Sequence, residues 1–117
     1  MPRSAAAYLS DVLEACDAIE AVLAGTDLAA YQRERALRSA VEREFTIIGE
    51  AVNALTRREP DVAAGVSHAR LIVGFRNQLV HDYASVDDET VYAIARRDVS
   101  VLRSECAALL ETLGGAD

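Results

Sequence analysis

The chain has 117 residues, 51% of them hydrophobic and 26% charged, which suits one domain with a modest core. Its 19 acidic and 12 basic residues leave a formal net charge of -7. That charge excludes broad, sequence-independent binding of nucleic acid, which needs a basic surface to displace counterions, and leaves room only for a small local basic site. All 12 basic residues are arginine, a side chain suited to planar contacts with phosphate or carboxylate.

With no tryptophan and two phenylalanines, aliphatic side chains and alanine must fill the interior. The opening "MPRSAAAYLSDVLEA" lacks the apolar run of a signal peptide, because Asp11 and Glu14 interrupt it. No stretch approaches a membrane span, so a cytoplasmic protein is expected. Cys16 and Cys106 fall on different predicted helices and match no metal spacing. They read as buried free thiols behaving as small hydrophobes.

The first predicted helix runs from about Ser4, a good N-cap, to Leu23. Leu9, Val12, Leu13, Cys16, Ile19 and Leu23 form its apolar stripe, and Gly25 stops it. Thr26 and Asp27 offer caps for a second helix, regular by about Tyr31. Leu37, Val41, Phe45, Ile48, Val52 and Leu55 recur along it at three- and four-residue steps. Arg57 and Arg58 suit its carbonyl end, and Pro60 supports the stop. "PDVAAGVS" is a connector with room for one short helical turn. Ser67 is then expected to cap a third helix, from His68 to about Tyr83.

"SVDDET" makes the next break, with Asp87 or Asp88 capping a fourth helix that runs to about Leu113. Val91, Ile94, Ala95, Val99, Leu102, Cys106, Leu109 and Leu113 are its stripe, closed by Gly114 and Gly115. No segment alternates with period two, and there is no repeat or linker. The expectation is therefore a single all-α domain spanning residues 1–117, an antiparallel bundle of about four main helices.

The third helix contains "GFRNQLVHDYA", where polar residues crowd among apolar ones. At about 100° per residue, Leu71, Ile72, Phe75 and Leu79 share roughly one third of the circumference, the face expected to enter the bundle. Val73 and Val80 lie on another side, next to Arg76, so the helix is buried twice or meets a second chain. Gly74, Asn77 and His81 form a third face, where Gly74 leaves a gap for a ligand or another helix. Arg76 is offset from His81 by about 140°, and Tyr83 lies almost in line with Arg76 along the axis.

These residue types fit RNA cleavage. A proton must leave the 2′-hydroxyl and another must reach the departing oxygen; histidine, which titrates near neutrality, serves either step. Arginine stabilises the charge that builds on the phosphorane oxygens, and Asn77 could orient the histidine or donate to phosphate. No metal is required. A plainer reading stands beside this one: Arg76 and His81 can be incidental neighbours near a helix end, with Asp82 pairing to a partner's arginine and Tyr83 closing a small core.

"FRNQLVHDY" resembles the signature of the HEPN superfamily, an arginine followed by four to six residues and a histidine. More narrowly, Arg76, His81 and Tyr83 spell R-x-x-x-x-H-x-Y, similar to the HepT-type toxins encoded beside a minimal nucleotidyltransferase (MNT) antitoxin. "AVEREFTIIGEAVNAL", residues 40–55, is similar to that family's R-x-L-x-x-I-G-E-A region, with Phe45 in place of leucine. The likeness covers nearly the whole chain.

This resemblance implies an all-α HEPN-like bundle forming a two-fold homodimer, with two R-x-x-x-x-H segments facing across a cleft. It implies a metal-independent endoribonuclease toxin of a type II-like or type VII pair, with Arg76 and His81 catalytic and Asn77 supporting. It also implies an MNT-type antitoxin that takes AMP from ATP and transfers it to Tyr83. RNA is the implied substrate, and no cofactor belongs to the chain itself.

Two other roles compete: a non-catalytic helical dimer that binds or regulates a nucleotidyltransferase, and a nucleotide-binding sensor. The second lacks any glycine-rich phosphate loop. His68 reads as an exposed first-turn residue. Glu50 either salt-bridges an arginine in the core or orients one at the site. Tyr8, Tyr31 and Tyr92 read as packing or rim residues.

Overall fold

A computed structural model describes residues 3–115, apart from the side chain of Tyr83. Among these residues there are seven α-helices and one 3-10 turn: α1 (Ala5–Leu23), α2 (Leu28–Arg33), α3 (Arg35–Arg58), α4 (Pro60–Ala63), α5 (Ala69–His81), the turn Tyr83–Ser85, α6 (Asp88–Arg97) and α7 (Val99–Gly115). The described residues contain no strand, so the all-α class holds.

Local chemistry sets many of the helix ends. Ser4 Oγ accepts the Ala7 N–H at 3.1 Å and starts α1. Gly25, at φ 71, takes the left-handed conformation that lets the chain turn out of α1. Asp27 accepts the Ala30 N–H at 2.8 Å and caps α2. Asp87 does the same for α6, accepting from Glu89 at 3.4 Å. Pro60 occupies the first turn of α4, where a missing N–H costs nothing.

Several expected boundaries differ. The second predicted helix divides at Glu34, whose extended backbone (φ -105, ψ 101) separates α2 from α3. The division lets α2 lie against α6, where Tyr31 is fully buried and its ring sits 5.5 Å from that of Tyr92. Arg38 donates to the carbonyls of Tyr31 and Gln32, satisfying groups freed at the break. The fourth predicted helix bends at Asp98, between α6 and α7, and both halves keep their stripes buried: Val91 and Ala95, then Val99, Leu102 and Cys106. Ser67 does not cap the third helix. His68 holds that position without a side-chain cap, while Ser67 donates to Glu105 on α7 and ties the connector to it. Gly114 and Gly115, expected to close the fourth helix, are the last described residues and are counted within α7.

The core lies where α1 packs on α3 and α7. Leu9, Val12, Cys16, Ile19 and Leu23 from α1 meet Val41, Ile48, Val52 and Leu55 from α3, all at most 1% exposed. Arg96 reaches the Leu23 carbonyl at 2.6 Å and also bonds Thr26, placing a cation at the carbonyl end of α1. Cys16 and Cys106 are buried free thiols, as expected. Burial pushes Cys16 up to about 12 and Cys106 to about 11, so neither is a thiolate nucleophile near neutrality. No helix among the described residues is long and apolar enough to cross a membrane.

Helix α5 stands apart from this core. It packs mainly on α3 and contributes one buried residue, Leu79. Phe75 meets Phe45 edge-to-face at 5.2 Å, and Ile72 is half-buried. Leu71, expected on the same buried face, is instead 70% exposed. At about 100° per residue it falls at the margin of the arc defined by Ile72, Phe75 and Leu79, and α5 has no second helix to cover that margin. Leu71 and Phe75 border an open apolar groove of about 420 Å³, whose far wall is the α6–α7 bend with Ile94 and Val101.

Candidate active site

Arg76 lies just past the middle of α5, at the edge of the arc that faces α3. Its side chain is 24% exposed and leans across α3. The approach is very close: a Cβ built on Gly49 would stand 2.1 Å from Arg76 Cβ and 2.4 Å from Cγ. The absence of a side chain at position 49 therefore makes the channel in which the arginine stem lies. A mid-helix glycine costs about 1 kcal/mol relative to alanine, and here close packing of the arginine stem is what it permits.

The guanidinium is held at both terminal nitrogens. Nη2 donates to Glu50 Oε1 at 3.2 Å, and Nη1 donates to Asn77 Oδ1 at 2.9 Å. Nε is buried and has no hydrogen-bond partner among the described residues. Glu50 is 60% exposed. An ion pair this open to water is worth about 0–1 kcal/mol, so its consequence is orientation rather than stability. Of the two roles considered for Glu50, the pairing is with an arginine of the candidate site, at the surface, and not with one in the core.

His81 is the last residue of α5 and is exposed. The backbone turns at Asp82, whose N–H bonds the Gln78 carbonyl at 2.9 Å. Asn77 and His81 share the exposed arc with Gly74, as the helical spacing requires. Thus Arg76, Asn77 and Glu50 come together within one chain, while no hydrogen bond or ion pair among the described residues links His81 to them. His81 lies about 7.5 Å further along the axis and about 140° around it. The helix ends before Tyr83, which begins the 3-10 turn. The side chain of Tyr83, the acceptor of AMP that the resemblance implies, lies outside the described residues.

His68 is exposed at the start of α5 and borders the apolar groove, away from Arg76. Among the described residues no three His, Cys, Asp or Glu side chains gather into a metal-binding group. Gly49 and the Glu50 pairing are the site features that periodicity alone does not assign. The available signal was the glycine itself, set inside a 24-residue helix of otherwise strong apolar pattern.

The fold and this cluster define a class: a helical-bundle protein with an Arg-Asn pair and a histidine displayed on one peripheral helix. More particularly, the chain belongs to the HepT-like family, whose model, described as "Ribonuclease HepT-like", matches residues 12–109. It is similar to "Putative RNase MJ1216" of Methanocaldococcus jannaschii, 27% identical over 117 residues, covering 98% of this chain and 94% of the relative. "Putative RNase MJ0125" of the same organism is 27% identical over 113 residues, 95% of each chain. "Putative RNase TTE0752" of Caldanaerobacter subterraneus subsp. tengcongensis is 24% identical over 104 residues, 89% of this chain and 92% of its own. No solved structure matches the chain significantly.

Proposed function

We propose that the protein is a metal-independent endoribonuclease, the toxin of a toxin–antitoxin pair, acting in the cytoplasm as a two-fold homodimer with its active site in the dimer cleft. The observation that carries this reading is the Arg76 guanidinium, fixed by Glu50 and Asn77 beside the open arc that ends in His81. In one chain the arginine and histidine point different ways. Two copies of α5 crossing antiparallel would set the Arg76 of one beside the His81 of the other.

In that cleft an imidazole takes the 2′-hydroxyl proton and the 2′-oxygen attacks phosphorus. The bond from phosphorus to the 5′-oxygen breaks, and an imidazolium gives that oxygen its proton. Arg76 faces the charge on the non-bridging oxygens and Asn77 steadies the guanidinium. The chain needs no cofactor of its own. The test is purified protein on RNA in excess chelator, with His81→Ala and Arg76→Ala as controls. A dimer that leaves RNA intact would favour instead the non-catalytic partner of a nucleotidyltransferase.

Three features support α5 as the seam. Leu71 and Val80 are 70% and 46% exposed. Helix α5 packs mainly on α3 and leaves its other side open. A Cβ at Gly74 would meet nothing within 4 Å, so the single chain gives no reason for glycine there. Gly74→Ala is expected to stabilise the isolated chain by up to about 1 kcal/mol, because alanine is the better helix former. The same change should weaken self-association and lower RNA cleavage with it. Sedimentation showing an unchanged dimer fraction would move the seam off α5.

Neutralisation by an MNT-type antitoxin follows from the Tyr83 phenol. Its oxygen attacks the α-phosphorus of ATP, pyrophosphate leaves, and the phenol proton is released. The added phosphate, at the end of the helix that bears Arg76, would repel RNA. Incubation with the partner and ATP is expected to add one or more AMP units in intact-mass spectra. Tyr83→Phe should add none; equal labelling of that variant would place the acceptor elsewhere.

A further inference from the structure

Of the five N–H groups on a guanidinium, Arg76 gives one on Nη2 to Glu50 and one on Nη1 to Asn77. Its Nε is shut inside the packing with α3. One N–H on each terminal nitrogen is left without a partner among the described residues, and two such groups on one planar fork match the oxygens of a phosphodiester. We infer that Glu50 is a positioning residue: from α3 it sets the plane of the Arg76 guanidinium so that these two N–H groups are presented together to the scissile phosphate. The catalytic consequence rests on the ribonuclease reading, whereas the hold itself rests on geometry alone.

Two observations separate this role from an ordinary surface ion pair. The stem of Arg76 is already fixed by the gap at Gly49, so Glu50 acts on the one part of the side chain that could still swing. A carboxylate beside a phosphate-binding arginine also opposes RNA binding, and its exposed pairing returns little stability. What it supplies is direction. A misplacement of about 1 Å in such a group costs about 10²-fold in rate.

The experiment compares Glu50→Ala and Glu50→Gln in the full-length protein, reading kcat and KM on RNA together with the Arg76 Nε–H signal by NMR, assigned through its loss in Arg76→Ala. Glutamine keeps an oxygen that accepts from Nη2. Glu50→Ala is expected to lower kcat by about 10- to 10²-fold without raising KM, and to broaden the Arg76 signal. Glu50→Gln should recover most of kcat and the sharp signal. If Glu50→Ala keeps wild-type kcat, or loses kcat while the Arg76 signal stays sharp, the positioning role is wrong even though the wild type cleaves RNA. If the wild type cleaves no RNA yet Glu50→Ala frees the Arg76 signal, the ribonuclease reading fails and the hold by Glu50 stands.

Discussion

His81→Ala is expected to lower kcat/KM for RNA by about 10²–10⁴-fold, the usual contribution of one positioned acid or base. The fold should not notice. His81 is exposed, is the last residue of its helix and is outside the α1–α3–α7 core, and surface changes of this kind stay within about 0.5 kcal/mol. Arg76→Ala should lose about 10²–10³-fold by removing the charge that faces the phosphorane. It also leaves Glu50 unpaired, but that carboxylate is 60% exposed and water can take it. Because the proposed cleft joins two chains, mixing the inactive variants gives a sharper test. A dimer pairing one Arg76→Ala chain with one His81→Ala chain retains one arginine and one histidine on opposite chains, so one of its two Arg76–His81 pairs across the seam is intact and the other has lost both members. Recovery of cleavage on mixing would locate the site across the seam, and wild-type cleavage by both variants alone would remove it from α5 altogether.

Gly49→Ala should be the most disruptive single-methyl change near the site. The added carbon would stand 2.1 Å from Arg76 Cβ, and neither that atom nor the helix backbone behind it is a flexible end. Helix α5 must move away from α3 or Arg76 must leave its channel. Overpacking of this kind costs about 1–3 kcal/mol, offset by at most about 1 kcal/mol from the better helix propensity of alanine. The net is a fall in melting temperature of several degrees for a domain of this size. RNA cleavage should fall by at least about 10²-fold, since the displacement acts directly on the guanidinium. The two losses should part under stabilising conditions: an added osmolyte restores folding but not the channel. Wild-type rates in Gly49→Ala would mean that the close approach to α3 has no part in the chemistry.

These two expectations divide along what could be read from residue order. His81, Arg76 and Asn77 were legible as candidates because helical spacing and residue chemistry are local properties. The same holds for the ends made by Ser4, Gly25, Asp27 and Pro60, and for the apolar stripes of α1 and α3. Each depends on groups within about one turn of helix. The break at Glu34 was not legible, because its reason is the burial of Tyr31 against α6, far along the chain. Nor was the exposure of Leu71, which follows from α5 having one principal packing partner.

By itself, then, the order of residues determined an all-helical chain and the polar cluster on one of its helices, since periodicity and capping act over a few residues. Tertiary structure alone decided where that cluster points: which arc of α5 meets α3, that Gly49 receives the arginine stem, and that Glu50, 26 positions away, takes its head. The physical reason is that a contact across two helices depends on how closely their backbones approach. That distance is set by the packing of the whole bundle rather than by the few residues that touch.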